Sequence, residues 1–267
     1  MTAMPKDDVI KTRYEDVMDR VAKAAARSGR KGEAIHVVAV TKNAAFEQVR
    51  ELIVMGHRDF GESRMQHFLH MAAQVDEYLE RQRSLGDASG TTPDQVRWHF
   101  IGHLQRNKVR RVLPASRLLH SVDSLRLAEE IQAATPQEPI EVLIQANISG
   151  ERTKYGIAPA AIEHMIEQID TMLNLRVRGM MCMAPKSEDP EDARRIFIRC
   201  QEIFEEICQL GIAGNRFDIL SMGMSDDYEV AIECGANMVR VGRAIFGEVE
   251  PTDLESSEAA LQGSTDA

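Results

Sequence analysis

The chain has 267 residues, of which 43% are hydrophobic, 32 basic and 42 acidic, for a net charge of −10. That length and balance suit a single α/β barrel with its own core, and the acidic surplus argues against nucleic-acid binding by bulk charge. No apolar run nears the roughly 18 residues of a transmembrane helix.

Residues 1–8 lack the apolar stretch of a secretory leader, which predicts a cytoplasmic protein with no membrane partner. Cys182, Cys200, Cys208 and Cys234 form neither a C-x-x-C pair nor a zinc spacing, so they read as reduced thiols, and no metal site is expected. A helix is predicted over 8–28. Apolar, β-branched runs then predict strands near 35–41, 58–61, 96–101, 117–121, 140–148, 175–182, 216–222 and 237–241. Between them, Phe46, Val49, Leu52 and Ile53 share one helical face that Gly56 ends. Ile196, Cys200, Ile203, Ile207 and Leu210 do the same ahead of Gly211. Asp123 and Ser225 are each expected as an N-cap. Residues 83–95 read as a polar loop. Six acids and no Lys or Arg fall in 248–267, so the expected division is a barrel over 1–248 and a disordered acidic tail over 249–267.

Eight strands alternating with helices predict a (β/α)8 barrel, with an open doubly wound sheet as the competitor. Little room remains after the last strand for an eighth helix, and the helix at 8–28 is expected to fill that gap.

Chemistry in such a barrel gathers at the C-terminal strand ends. The first strand delivers Lys42 there, where burial in a concave site would lower its pKa and free its amine to attack a carbonyl. The others offer Glu62, Ser63 and Arg64; His99 and His103; His120, Ser121 and Asp123; Asn147; and an apolar wall at Gly179-Met180-Met181. Ser221-Met222-Gly223-Met224-Ser225 and Arg240-Val241-Gly242-Arg243 form the last two loops. Barrels often hold phosphate there, because small residues let backbone N–H groups approach its oxygens. A plain turn with a capped helix explains the first loop equally well. Arg240 lies in an otherwise apolar strand, where an unpaired charge is costly. Either a carboxylate on a neighbouring strand pairs with it, or it faces the pyridine nitrogen of a cofactor. A strand-end lysine opposite a phosphate loop is what pyridoxal phosphate requires.

Several segments together resemble the YggS/PROSC family of pyridoxal phosphate (PLP) homeostasis proteins. They include Val38-Ala39-Val40-Thr41-Lys42, Phe60-Gly61-Glu62-Ser63-Arg64, and Trp98-His99-Phe100-Ile101-Gly102-His103-Leu104-Gln105-Arg106-Asn107-Lys108. Gln145-Ala146-Asn147-Ile148-Ser149-Gly150-Glu151-Arg152-Thr153-Lys154-Tyr155-Gly156, Arg178-Gly179-Met180-Met181, Leu220-Ser221-Met222-Gly223-Met224-Ser225-Asp226-Asp227 and Val239-Arg240-Val241-Gly242-Arg243-Ala244-Ile245-Phe246-Gly247 complete the set. The resemblance implies the alanine-racemase-type barrel with an extra N-terminal helix and no C-terminal β domain. It also implies PLP as a Schiff base on Lys42, Arg240 at the pyridine nitrogen, and phosphate held by Ser221, Ser225 and the Gly242 backbone. Ser63, Asn147, Met181 and Arg243 fall within the cofactor set so implied. Ser63 stands where the family usually has Asn, and Arg243 where it often has Thr, so Arg243 either strengthens the phosphate end or points outward.

Two functions follow. One is a PLP carrier or regulator without turnover, monomeric, handing cofactor to apoenzymes. The other is a PLP-dependent amino-acid racemase with Lys42 as one base. Racemisation needs a second base, supplied in the racemases this barrel resembles by an additional C-terminal domain, and the barrel here consumes the chain to about residue 248.

Overall fold

The computed structural model describes residues 6–85, 95–134, 138–151 and 154–248. The tail over 249–267 and most of the 83–95 loop lie outside these residues. The helix before that loop runs through Leu85, so Arg83, Ser84 and Leu85 are helical rather than loop.

Eight parallel strands close a barrel in sequence order. They are β1 (His36–Val40), β2 (Asp59–Glu62), β3 (Arg97–Phe100), β4 (Leu118–Val122), β5 (Ile140–Ala146), β6 (Leu175–Cys182), β7 (Ile219–Ser221) and β8 (Met238–Val241). Closure decides between the barrel and the open sheet. β1 pairs with β8, Val38 level with Arg240.

Around the strands lie α1 (Lys6–Arg27), α2 (Phe46–Val54), α3 (Met65–Leu85), α4 (Val109–Val112), α5 (Leu125–Ala134), α6 (Ile162–Asp170), α7 (Arg194–Leu210), α8 (Tyr228–Glu233) and α9 (Arg243–Phe246). The last helix among the described residues, α9, is a single turn, and α1 packs against α2, α8 and α9 to complete the ring. Val17, Val21, Ala24 and Ala25 form its buried stripe. Its outer edge is tied to α8 by Arg20–Glu229 and Arg27–Glu233 ion pairs, which at the surface contribute roughly 0–1 kcal/mol each.

Alternation along each strand sorts side chains into two cores. Between sheet and helices, Phe60, Phe68, Trp98 and Phe100 interlock with ring centroids 5.5–5.9 Å apart. Inside the barrel, Val38, Leu118, Leu143, Met181 and Met238 form a separate apolar layer. Ion pairs ring the N-terminal end of the lumen: Arg97 with Asp59, and Arg117 and Arg178 with Glu141. Gly179 marks a register shift in β6, with φ of 151°, and a Cβ there would lie 1.8 Å from the Ile219 carbonyl oxygen. Only glycine lets β6 and β7 pair at this point.

Candidate functional site

Lys42 lies two residues beyond β1, in the same alternation as the inward-facing Val38 and Val40. Its side chain is exposed at the rim rather than buried, because the strand ends before it and a turn closed by Ala44 N–H on the Thr41 carbonyl (2.9 Å) carries it past the barrel edge. That turn is tightly held. Thr41 N–H donates to the Gly61 carbonyl at 2.9 Å, and the Arg64 guanidinium donates to the Lys42 carbonyl.

Beneath the turn sits Glu62, whose carboxylate is fully buried. It accepts from the backbone N–H of Ser63 (2.6 Å) and Arg64 (2.9 Å), from His67 Nδ1 (2.6 Å) and from the Thr41 hydroxyl (3.3 Å). Burial pushes its pKa up, but the His67 bond and the N–H groups outweigh that and hold it below the usual range. Ser63 Oγ also donates to Glu62, at 3.3 Å. The sequence marked Glu62 only as a strand-end residue; its partner His67, in the first turn of α3, carried no signal.

Arg240 is 3% exposed and has no carboxylate partner among the described residues, so the ion pair weighed as one reading of the sequence does not form. Its Nη1 donates to the Ser221 carbonyl (3.0 Å) and Ser221 Oγ (2.6 Å), and its Nη2 to the Cys182 carbonyl (2.9 Å). Three of its five N–H donors are used, which fixes the guanidinium plane and leaves two for a ligand. The Cys182 thiol meets Cys200 from α7, and this bond together with burial pushes the Cys200 thiol well up.

Ser221 and Ser225 play different parts. Ser221 is fully buried in the lumen, with its hydroxyl engaged by Arg240 and His120. Ser225 is not a helix cap; α8 begins three residues later, behind a turn in which Met224 N–H donates to Asp227 Oδ1 at 2.6 Å. The Ser225 hydroxyl instead accepts from the N–H of Gly242 (3.1 Å) and Ala244 (3.4 Å). Two backbone donors thus converge on one oxygen between the last two loops, an arrangement suited to an anion. A Cβ on Gly242 would lie 3.2 Å from the Val40 carbonyl oxygen, so the absence of a side chain lets β8 close on β1.

The remaining expected site residues are placed less centrally. Arg243 is exposed and pairs with Asp226 and Glu248, so it points outward and only its backbone lies between the two N–H groups that reach Ser225. Asn147 engages its own loop, donating to the Glu151 and Lys154 carbonyls and accepting from Gly150 N–H. Met181 belongs to the apolar layer inside the barrel. Asp123 is not an N-cap either: Ser124 accepts from Leu127 N–H, which frees Asp123 to hold His103 at 3.1 Å. His103 in turn stacks on Tyr155 with centroids 3.8 Å apart.

Comparison with known proteins agrees with this architecture. Residues 17–250 match the family described as alanine racemase, N-terminal domain. A pyridoxal phosphate homeostasis protein of Aquifex aeolicus is 36% identical over 239 residues, covering 88% of this chain and 96% of that protein. One from Pseudomonas aeruginosa is 36% identical over 233 residues, covering 86% and 92%. Among solved structures, PipY of Synechococcus elongatus with PLP bound aligns with a TM-score of 0.68 at 28% identity, over 85% of this chain and all of that one. An alanine racemase of Corynebacterium glutamicum shares the fold at 15% identity and a TM-score of 0.60, and the alignment covers 62% of that enzyme.

Proposed function

The chain belongs to the pyridoxal phosphate homeostasis protein family, and from that premise we propose that it binds PLP through Lys42 and acts in intracellular PLP and amino-acid balance without turnover of its own. The observation that carries this reading is the grouping at one barrel end of an accessible lysine, a fixed arginine with free donors and a backbone anion cradle. When bound, the cofactor supplies an aldehyde carbon that condenses with a lysine amine, releasing water, and an electron-withdrawing ring.

The residues fit the group. Lys42 would hold it as a Schiff base, and Gly242 N–H, Ala244 N–H and the Ser225 hydroxyl would hold the phosphate. Arg240 would face the ring nitrogen. An arginine supplies no proton there, so the ring stays a weak electron sink, which favours holding the cofactor over catalysing with it. Ser63 lies beside the Lys42 turn, and Met181 underlies the lumen. Arg243 would contribute through its backbone, and Asn147 by shaping the loop after β5. The barrel unit is assigned to residues 1–248, with 249–267 as an acidic extension. A cytoplasmic monomer delivering PLP to apoenzymes is the setting we assign to it, consistent with the absence, among the described residues, of any helix long and apolar enough to cross a membrane.

The test is the visible spectrum of the purified chain with PLP, beside Lys42→Ala, followed by borohydride and then by L- or D-alanine. The expected result is a band that borohydride fixes in the wild type only, with both alanines keeping their configuration. Conversion of either alanine would replace the carrier reading by the racemase one, and no band would remove Lys42 from the site.

A further inference from the structure

Five side chains cross the barrel interior in one hydrogen-bonded chain. Asp59, at the start of β2, lies 3.1 Å from His99 Nε2, and His99 Nδ1 lies 3.0 Å from His120 Nε2. His120 Nδ1 lies 3.2 Å from Ser221 Oγ, which accepts from Arg240 Nη1 at 2.6 Å. His99, His120, Ser221 and Arg240 are all at most 3% exposed.

The chemistry of the ends gives this chain a direction. The Asp59 carboxylate can only accept, so His99 Nε2 carries a proton. Asp59 already holds the Arg97 guanidinium through two bonds of 2.7 and 2.5 Å. The carboxylate charge is thus already matched by the half-exposed Arg97, and the chain needs no second cation beside it. Neutral His99 accepts at Nδ1, so His120 donates from Nε2 and accepts at Nδ1. Ser221 must then donate its hydroxyl proton to His120 while accepting from Arg240. Burial, with the Arg240 charge nearby, keeps His120 neutral. Each link pairs one donor with one acceptor, and the buried arginine is connected to a carboxylate on the far side of the lumen.

A purely structural role would need none of this polarity, since an apolar interior is as stable or more so. Polarised chains strengthen each of their bonds, and this one ends on the guanidinium facing the cofactor. We propose that Asp59, His99 and His120 are positioning residues for Arg240, holding its orientation and charge at the ring end of the PLP site; this rests on the PLP reading above.

Two measurements test it. Long-range 1H–15N correlation spectra of the full-length chain, without and with PLP, report the proton on each imidazole. Both histidines are expected neutral with the proton on Nε2, and a Nδ1 proton or a cation on either would overturn the directed chain. Asp59→Asn and His99→Gln are then loaded with PLP and compared with the wild type. Borohydride is still expected to fix the cofactor to Lys42, while its absorption maximum shifts and its loss on dilution accelerates about tenfold. An unchanged maximum and loss rate in a folded variant would overturn the proposal alone. No PLP uptake by the wild type would overturn it together with the PLP reading.

Discussion

The Glu62 carboxylate accepts the Thr41 hydroxyl at 3.3 Å, one residue before Lys42 and with no exposure to solvent. The lysine's turn therefore rests on a buried charge held by five donors. In Glu62→Gln an amide N–H group replaces one oxygen and confronts a donor, leaving it unsatisfied. We expect a lower urea midpoint, equivalent to about 1–3 kcal/mol, together with faster loss of PLP. An unchanged midpoint would mean that Glu62 does not hold this turn.

Ser221 and Ser225 separate two functions that look alike in sequence. Ser225→Ala should weaken binding of PLP about tenfold while leaving pyridoxal, which lacks the phosphate, unaffected. Ser221→Ala should weaken both, because it frees Arg240. Titration of each variant with the two ligands checks this, and identical profiles for the two variants would refute the division.

Stability should fall as the pH drops below about 6.5. Burial keeps His57 and His120 neutral in the folded chain, with depressed pKa values. Below their unfolded pKa of about 6.5, the unfolded chain binds protons that the folded one refuses, at up to about 1.4 kcal/mol per pH unit for each group. Asp59 and Glu62, also depressed, act in the same direction below about pH 4. Urea midpoints at pH 7.5, 6.5 and 5.5 should decline in that order. His120→Asn should flatten the decline, and a level profile in the wild type would contradict the neutral histidines.

Gly179→Ala should fail to yield a stable barrel, because its Cβ would lie 1.8 Å from the Ile219 carbonyl oxygen. Gly29→Ala, whose added Cβ meets nothing within 4 Å at a φ of 73°, should lose only the backbone strain of about 1–3 kcal/mol. Soluble expression and thermal melting compare the two. Equal melting temperatures would show that β6 and β7 can separate without cost.

The barrel was legible in the sequence because its strands are short apolar runs and its helices carry one apolar stripe, both local patterns. All eight strands fall within three residues of where those runs predict them. A place for α1 in the outer ring was expected from the little room left after the last strand, and α1 does pack there, beside α8 and the single-turn α9. Lys42 and Arg240 stood out for equally local reasons, a strand end and a charge in an apolar run.

Partners across the barrel were not legible, because hydrogen bonding depends on which side chains the closed sheet brings face to face. Asp123 and Ser225 had the residue types of helix caps, yet tertiary contacts took the first for His103 and set the second between two backbone N–H groups. The link from Arg240 to Asp59 joins residues 181 positions apart through three intermediates. By itself the sequence determined the fold and the chemical types present at its rim. Only closure of the barrel decided which serine meets Arg240 and which meets the N–H groups of Gly242 and Ala244, since strand register sets those distances and composition does not.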